Sequence, residues 1–294
     1  IESVLPAEDA PMPEIETPKL AFVGRPNVGK SSLVNAILND QRSVVSAIPG
    51  TTRDAVDTAC TWNGKPFVLC DTAGIRHRSK HNESVEVFSV MRSEEAIRRA
   101  DLCVLVIDAA DGVTVQDKKI AGLIQASHKA CVIVLNKWDT LQNRNEPEPE
   151  LLREYLARIR EKLFFLSYAP VIALSAKTRT NVKRLFHAIE KIRQHASRRS
   201  GTGELNRYLR ATMERQPPPA RSQRRLKLFY ATQLMPSEPR PFQVPAFLLF
   251  VNDPRLLPES YLSFLRARLR ERWEYPGLPI LLKPRGREKR GKDG

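Results

Sequence analysis

The sequence predicts an α/β chain with a three-layer domain built on a mostly parallel sheet, followed by a small α+β domain. Short apolar runs typical of buried strands alternate with amphipathic stretches from Lys19 onward. Such alternation indicates a parallel sheet with helices on both faces. The runs are Leu20–Val23, Phe67–Cys70, Leu102–Ile107, Cys131–Leu135 and Val171–Leu174. A segment rich in arginine and glycine, residues 197–203, then interrupts the pattern and predicts a domain boundary.

We expect three segments: residues 1–18, 19–198 and 199–294. The first holds four prolines and five acidic residues with no basic one, which predicts a linker, and its start at Ile1 suggests a piece of a longer protein. The last segment ends in a basic tail from Lys283 that we expect to be mobile. Its predicted elements are a helix over 205–215, strands over 226–231 and 246–251, a helix over 258–273 and a strand over 279–282.

Composition excludes several classes of protein. With 294 residues and 41% apolar side chains, the chain can build two cores. No apolar stretch is long enough to span a bilayer, and the N-terminus lacks the basic start of a signal peptide. We therefore expect a soluble cytoplasmic protein with no membrane partner. The four cysteines form no C-x-x-C pair and are predicted to be buried apolar residues rather than metal ligands: Cys60, Cys70, Cys103 and Cys131.

A phosphate-binding loop follows the first apolar run. Residues 24–31 read G-R-P-N-V-G-K-S and precede an amphipathic stretch, as the motif G-x-x-x-x-G-K-[ST] requires. Its backbone N–H groups can surround phosphates, Lys30 can neutralise their charge, and Ser31 can ligate Mg²⁺. The predicted contacts of this loop with a nucleotide are Gly24, Asn27, Val28, Gly29, Lys30, Ser31 and Ser32.

A second motif, Asp71-Thr72-Ala73-Gly74, ends the run Phe67–Cys70. The Asp71 carboxylate can hold Mg²⁺ through water, while the Gly74 amide contacts the γ-phosphate. D-x-x-G alone is usually only a turn. Its position at the end of a predicted buried strand, after the phosphate loop, is what favours a nucleotide-binding role.

The loop over residues 49–54, P-G-T-T-R-D, lies between the first helix and the second predicted strand. We expect Thr52, in preference to Thr51, to complete the Mg²⁺ shell only when GTP is bound, which would make the loop a switch. A plain β-turn is the alternative.

Guanine recognition is predicted at the ends of the last two strands. Asn136-Lys137-Trp138-Asp139 follows Cys131–Leu135, where such sheets bind ligands. The Asp139 carboxylate can accept hydrogen bonds from guanine N1–H and its 2-amino group, which adenine does not offer. In Ser175-Ala176-Lys177, the Ala176 amide is expected to donate to the guanine carbonyl. These motifs predict that GTP and GDP are the ligands.

These motifs and the basic tail closely resemble the EngA (Der) family of bacterial ribosome-assembly GTPases. The resemblance includes the tail strings Tyr230–Gln233 and Phe250–Pro254. It implies a P-loop GTPase sandwich followed by a KH-like domain, and a GTP-hydrolysing switch that acts in maturation of the large (50S) ribosomal subunit. It also implies that a preceding G domain of the same protein is missing here. An Era-like KH GTPase acting on rRNA and a nucleotide-sensing docking module without hydrolysis are the alternatives.

The resemblance also bears on hydrolysis. Ile75 stands where many GTPases place a water-orienting glutamine. Relatives with this replacement are associated with K⁺ bound by a phosphate-loop asparagine, which is Asn27 here, and slow turnover is expected. The predicted catalytic set is Lys30, Asn27, Thr52 and Gly74. Rival groups in nearby loops are Arg53, Arg76, Arg78, His77 and His81, which are more simply read as solvated surface residues.

Charge in the last segment points to RNA. Residues 197–294 carry 21 basic and nine acidic side chains. The only G-x-x-G after residue 200 is at 291–294, where no second helix can follow, so we expect contacts with the RNA backbone rather than base reading. A basic surface kept for solubility, or a domain that packs on other domains, are the alternatives. The candidate RNA contacts are Arg266, Arg270, Lys283, Arg285 and Arg287.

Overall fold

The computed structural model describes residues 17–40, 43–47, 57–71, 85–141, 148–219, 225–236 and 240–286. Its helices and strands follow in chain order, with short 3₁₀ turns omitted: β1 (Lys19–Val23), α1 (Lys30–Leu38), β2 (Ser43–Ala47), β3 (Thr58–Trp62), β4 (Lys65–Cys70), α2 (Val85–Arg99), β5 (Leu102–Asp108), α3 (Val115–Ala126), β6 (Ala130–Asn136), α4 (Glu148–Lys162), β7 (Val171–Ala173), α5 (Val182–Ala196), α6 (Thr202–Arg215), β8 (Leu228–Leu234), β9 (Ala246–Val251), α7 (Glu259–Trp273) and β10 (Leu281–Gly286).

The larger sheet has seven strands in the order β2-β3-β4-β1-β5-β6-β7. The five predicted strands, β4, β1, β5, β6 and β7, pair in parallel, which confirms the prediction of a mostly parallel sheet. β2 and β3 are antiparallel additions to the predicted set. Asn63 and Gly64, with φ of 49° and 77°, form the two-residue turn between β3 and β4. An Asn-Gly pair is a strong sequence signal for a β-hairpin, so β3 could have been predicted from the sequence.

Helices cover both faces of the larger sheet. On β1, Leu20 and Phe22 pack towards α1 and α5, while Ala21 and Val23 pack towards α2, α3 and α4. Alternation of this kind places successive side chains of a strand on opposite faces. β5 and β6 are buried along their whole length, as expected of strands with helices on both sides. The fold is therefore the predicted three-layer sandwich.

The smaller sheet has the order β10-β9-β8, with β8 antiparallel and β10 parallel to β9. Helices α6 and α7 contribute Leu209 and Leu265 to its core, against Phe247 of β9. The predicted elements are all present, although α6 begins at Thr202 rather than at 205. The prediction of a mobile tail from Lys283 is wrong for residues 283–286, because this segment pairs with β9 and continues the strand that contains the buried Leu282.

The two sheets are joined through the segment between α7 and β10. Gly277 accepts a hydrogen bond from Cys131 N at the start of β6 (2.8 Å) and donates one to Tyr168 O (2.7 Å). Its φ is +68°, and a Cβ there would lie 2.2 Å from Ile192 of α5. Only glycine combines this conformation with this close approach. The contact lies at the amino ends of the parallel strands, the edge of the sheet opposite the predicted site.

All four cysteines are buried and free, which confirms their prediction as apolar core residues. In the part of the chain that the structure describes, no helix has both the length and the hydropathy needed to cross a bilayer.

Candidate nucleotide-binding site

The sequence motifs converge at one edge of the larger sheet. The phosphate loop begins after β1, Asp71 follows β4, and Asn136 ends β6. Ser175-Ala176-Lys177 comes two residues after β7. Because these strands are parallel neighbours, their carboxyl ends meet at the same edge, where open α/β sheets bind ligands.

The phosphate loop requires both of its motif glycines. Gly24 has φ of 152°, and a Cβ would lie 2.3 Å from Val106 O of β5. Gly29, the residue before α1, has φ of 91°, and a Cβ would lie 2.2 Å from the Asn136 side chain. Asn27 is exposed and also left-handed, with φ of 63°. The loop is therefore packed against two neighbouring strands and keeps its tip open to solvent.

Lys30 closes the loop on itself. Its Nζ donates to Gly24 O (2.7 Å) and Arg25 O (2.6 Å). These carbonyls hold the ammonium group at the first turn of α1, where the helix dipole and the free backbone N–H groups favour an anion. Ser31 and the exposed Ser32 follow in the same turn.

Asn136 joins the phosphate loop to the loop after β7. Its side chain is buried, donates to Val28 O (2.8 Å) and accepts from Ala176 N (3.0 Å). Both of its side-chain polar atoms are used, so the residue fixes two loops relative to each other. In this structure the Ala176 N–H donates to Asn136, and its contact with a guanine carbonyl stays a prediction.

Asp139 has a buried carboxylate oxygen, Oδ1, with no hydrogen-bond partner. Unpaired buried polar atoms are rare in folded proteins and are a common feature of ligand sites. Lys137, two residues before it, is left-handed (φ 62°), and its Nζ lies 2.6 Å from Asp108 Oδ2 at the end of β5. Nearby, Ser175 is buried and accepts from Thr178 N (3.1 Å), whereas Lys177 is exposed.

Asp71 is held by a residue that the motifs do not include. Its backbone is left-handed (φ 56°), and its N–H donates to Asp57 Oδ1 (3.1 Å). Asp57 in turn accepts a hydrogen bond from Arg99 at the end of α2. Asp57 precedes β3, so recognising the β3–β4 hairpin would have placed it beside Asp71.

A second unpredicted group ties the phosphate loop to α3. Arg25 pairs with Asp111, and its Nε lies 3.7 Å from Asp117 Oδ2. Asp117 is fully buried and forms a capping box with Thr114 at the start of α3. The sequence T-x-x-D before an apolar helix is a recognisable signal for such a cap.

Several predicted residues lie outside the described part of the chain: Thr51, Thr52, Arg53, Gly74, Ile75, Arg76, His77, Arg78, His81 and Arg287. Their roles stay predictions.

The arginines of α7 are engaged within the protein. Arg266 pairs with Glu259 (2.6 Å), Arg268 with Glu271 (2.6 Å) and Arg272 with Glu204 (2.5 Å). These exposed pairs contribute little energy, but they neutralise the helix surface.

Arg270 does not fit its predicted role as an RNA contact. It donates to Tyr275 O and to Leu278 O (2.8 Å) and lies over the Tyr168 ring at 5.4 Å. Burial lowers the pKa of Arg270 to about 10. Its guanidinium is a structural link between the two sheets, whereas Lys283 and Arg285 on β10 are exposed.

The arrangement fits a guanine nucleotide with a magnesium ion. The glycine conformations, the start of α1 and Lys30 provide a cradle for phosphates. Asp139 Oδ1 lacks the donors that guanine N1–H and its 2-amino group would supply. The hydroxyl of Ser31 and the carboxylate of Asp71 are oxygen donors of the kind Mg²⁺ prefers.

Two family profiles match the chain. The profile for "50S ribosome-binding GTPase" matches residues 19–137, and that for the "KH-domain-like of EngA bacterial GTPase enzymes, C-terminal" matches residues 199–285.

Two relatives of this chain share the name GTPase Der. GTPase Der of Akkermansia muciniphila is 49% identical over 92% of this chain and 58% of its own length. GTPase Der of Caldanaerobacter subterraneus subsp. tengcongensis is 45% identical over 98% of this chain and 63% of its own length. The chain thus spans about three fifths of these relatives. Among solved structures, Aquifex aeolicus Era bound to GDP and AlF₄⁻ is 20% identical with a TM-score of 0.43, covering 92% of this chain and 93% of Era. The profiles and relatives agree: this chain joins a G domain of the 50S ribosome-binding GTPase family to an EngA-type C-terminal KH-like domain, and it is similar over nearly its whole length to bacterial proteins named GTPase Der.

Proposed function

We propose that the chain binds GTP with Mg²⁺, hydrolyses it slowly, and acts as a switch in maturation of the large (50S) ribosomal subunit. One observation carries the nucleotide part of the proposal. The buried Asp139 Oδ1 lacks a partner three residues after Asn136, whose side chain ties the phosphate loop to the loop after β7. A base bound at Asp139 is therefore coupled to the phosphates through one buried side chain.

Selectivity for guanine follows from this buried acceptor. Guanine offers two donors to a carboxylate, whereas adenine presents a lone pair at N1 and would leave Asp139 unpaired. Sites that depend on such hydrogen bonds reject the wrong ligand by about 10⁴.

The phosphates would be held by the loop and by Lys30. Its ammonium group exchanges the carbonyls of Gly24 and Arg25 for phosphate oxygens, which carry more negative charge. Magnesium, when bound, neutralises charge on the β- and γ-phosphates. Ser31 and Asp71 are the described residues we assign to it, with Thr52 as the predicted third.

Hydrolysis is the part that a rate measurement tests directly. In a single-turnover assay with Mg²⁺ and K⁺, we expect the chain to release phosphate from GTP and the Lys30→Ala variant to release far less. Equal rates for the two proteins would contradict the assignment and favour a nucleotide-sensing module.

We also propose that K⁺ assists hydrolysis at Asn27. The residue is exposed at the loop tip with φ of 63°, so its side chain is accessible to a cation beside the phosphates. A cation there would stabilise charge that develops in the transition state. We expect faster turnover in K⁺ than in Na⁺ and loss of this difference in Asn27→Ala. Equal rates of GTP hydrolysis in K⁺ and Na⁺ would contradict a role for K⁺ at Asn27.

The ribosomal part of the proposal is supported by the family. The profile over residues 19–137 is described as a 50S ribosome-binding GTPase. Co-sedimentation with 50S particles in the presence of a non-hydrolysable GTP analogue should exceed that with GDP. Equal recovery in both states, or none, would contradict a nucleotide-dependent switch on this particle.

A further inference from the structure

A groove lies between the two domains, at the edge of the larger sheet opposite the nucleotide site. It consists of two neighbouring cavities of about 300 and 360 Å³, which share four lining residues from the segment between β8 and β9. On the other side, the first cavity is lined by residues that precede β5 and β6, and the second by the end of α5 and the residues after it. The shared residues of this interdomain groove are Pro236, Arg240, Gln243 and Val244.

The interdomain groove combines an apolar wall with arginine side chains. Met235 is 54% exposed, and Leu234 and Val244 add further apolar surface to the larger cavity. Arg199 and Arg240 line the same cavity, one from each domain boundary segment, and both are exposed. Within the part of the chain that the structure describes, neither arginine makes a hydrogen bond or an ion pair. A ligand with both apolar and anionic groups therefore matches this cavity best.

The other arginines and the lysine of the groove already have partners. Arg193 donates to both carboxylate oxygens of Glu190, at 3.1 and 3.0 Å, and Arg198 lies 3.9 Å from Glu274. The ammonium group of Lys129 donates to two backbone carbonyls, at 3.0 and 2.6 Å. Two arginines are thus left as cations that an anionic group can reach without breaking an existing pair.

The chain enters its first strand at the rim of this groove. Asp101, the one acidic side chain among the described lining residues, accepts a hydrogen bond from Lys19 N through Oδ2 (2.9 Å), and its own N–H donates to Lys19 O (2.8 Å). Residues 1–16 precede this point and hold five acidic residues and no basic one, with apolar residues between them. Sixteen residues at up to about 3.5 Å each can reach along the whole groove.

We propose that the interdomain groove binds this acidic segment, residues 1–16 of the same chain, with carboxylates at Arg199 and Arg240 and apolar side chains against Met235. Ion pairs on an exposed surface contribute little by themselves, so the apolar contact is an essential part of the interaction. The proposal goes beyond the proposed function and requires no bound nucleotide.

Attachment favours the chain's own segment over a separate acidic peptide. A tethered segment meets the groove at an effective concentration on the order of millimolar, so that weak contacts suffice to hold it. The groove has one wall from each domain, and a docked segment would contact both. Docking would therefore reinforce the link between the sheets that Gly277 makes through its hydrogen bonds with Cys131 and Tyr168.

The test places a photocrosslinking side chain in the acidic segment of the full chain by the change Leu5→p-benzoylphenylalanine. After irradiation, mass spectrometry of the monomeric product should locate crosslinks at Met235 and at residues 241–244. Arg199→Glu combined with Arg240→Glu should lower the yield of these crosslinks about tenfold, because attraction is replaced by repulsion. The matched control is the same double charge reversal at Lys118 and Lys119, which are exposed on α3.

Protease accessibility gives a second measurement that needs no crosslinker. A glutamate-specific protease should cleave after Glu8 about fivefold faster in the Arg199→Glu, Arg240→Glu variant than in the wild-type chain, since cleavage requires the docked segment to leave the groove. The double reversal at Lys118 and Lys119 should leave the cleavage rate unchanged.

The GTP affinity of every variant should equal that of the wild-type chain, because the groove and the nucleotide site lie at opposite edges of the sheet. Failure of this proposal is therefore separable from failure of the proposed function. Crosslinks outside the groove, crosslinks that join two chains, or equal crosslinking and cleavage in the wild-type chain and the Arg199→Glu, Arg240→Glu variant would overturn the inference. A separate acidic partner would then be the better candidate for the groove.

Discussion

Replacing Gly29 by alanine should disrupt the site without removing any functional side chain. Gly29 has φ of 91°, where an L side chain is strained by on the order of 1–3 kcal/mol. The new Cβ would lie 2.2 Å from Asn136 Nδ2, so that side chain must move. Its movement breaks at least one of the buried bonds to Val28 O and Ala176 N, at about 1–3 kcal/mol. The expected total is about 2–6 kcal/mol.

This cost can be measured in two ways. Urea denaturation should show a lower free energy of unfolding, and isothermal titration should show GTP affinity reduced by about 30-fold or more, since 1.4 kcal/mol corresponds to tenfold. Gly122→Ala is the matched control, because Gly122 lies within α3 with nothing near its Cβ position. That change should raise stability by up to about 1 kcal/mol. Wild-type stability and GTP affinity in Gly29→Ala would refute the reasoning.

Three other outcomes are expected. Arg270→Ala should lower the free energy of unfolding in urea by about 2–4 kcal/mol, because it leaves two backbone carbonyls without their donor, and a loss below about 1 kcal/mol would contradict the structural role. Asp57→Ala should weaken GTP binding about tenfold when Mg²⁺ is present and little when it is absent, because Asp57 orients Asp71, a proposed magnesium ligand. Equal losses of GTP affinity with and without Mg²⁺ would contradict this role of Asp57. Burial raises the pKa of the Cys60, Cys70 and Cys103 thiols from 9.0 to about 12, so the unfolded chain loses these protons at lower pH than the folded chain does. The free energy of unfolding, measured in urea titrations, should therefore fall from pH 9 upward by on the order of 1 kcal/mol per thiol per pH unit. An unfolding free energy that does not change above pH 9 would contradict this prediction.

Contiguous motifs made much of the site predictable. The strand before Gly24 and the helix from Lys30 stand where the motif requires them, and Asn136 ends β6 with Asp139 three residues later. Each of these signals lies within a few residues along the chain, so local pattern and spacing are sufficient to find it.

Contacts between distant segments were not predictable in this way. Asp57 supports Asp71 because the hairpin brings residues 14 positions apart together, and Arg99 reaches Asp57 over 42 positions. The sequence shows Arg270 as one of several arginines on a basic helix. In the fold it lies where the chain turns back onto β6, and its guanidinium donates its hydrogen bonds to backbone carbonyls there. Charge in a sequence shows how many cations exist; the fold decides which of them already have partners.

Calorimetric titration of nucleotides tests the central claim most directly, because that claim is guanine recognition by Asp139 through a buried carboxylate oxygen. Wild-type chain should bind GTP and bind ATP about 10⁴-fold more weakly. Asp139→Asn exchanges one acceptor for a donor, so it should lose GTP and prefer xanthosine triphosphate, whose base has a carbonyl in place of the 2-amino group. Equal binding of GTP and ATP by the wild-type chain, or unchanged GTP affinity in Asp139→Asn, would contradict the account.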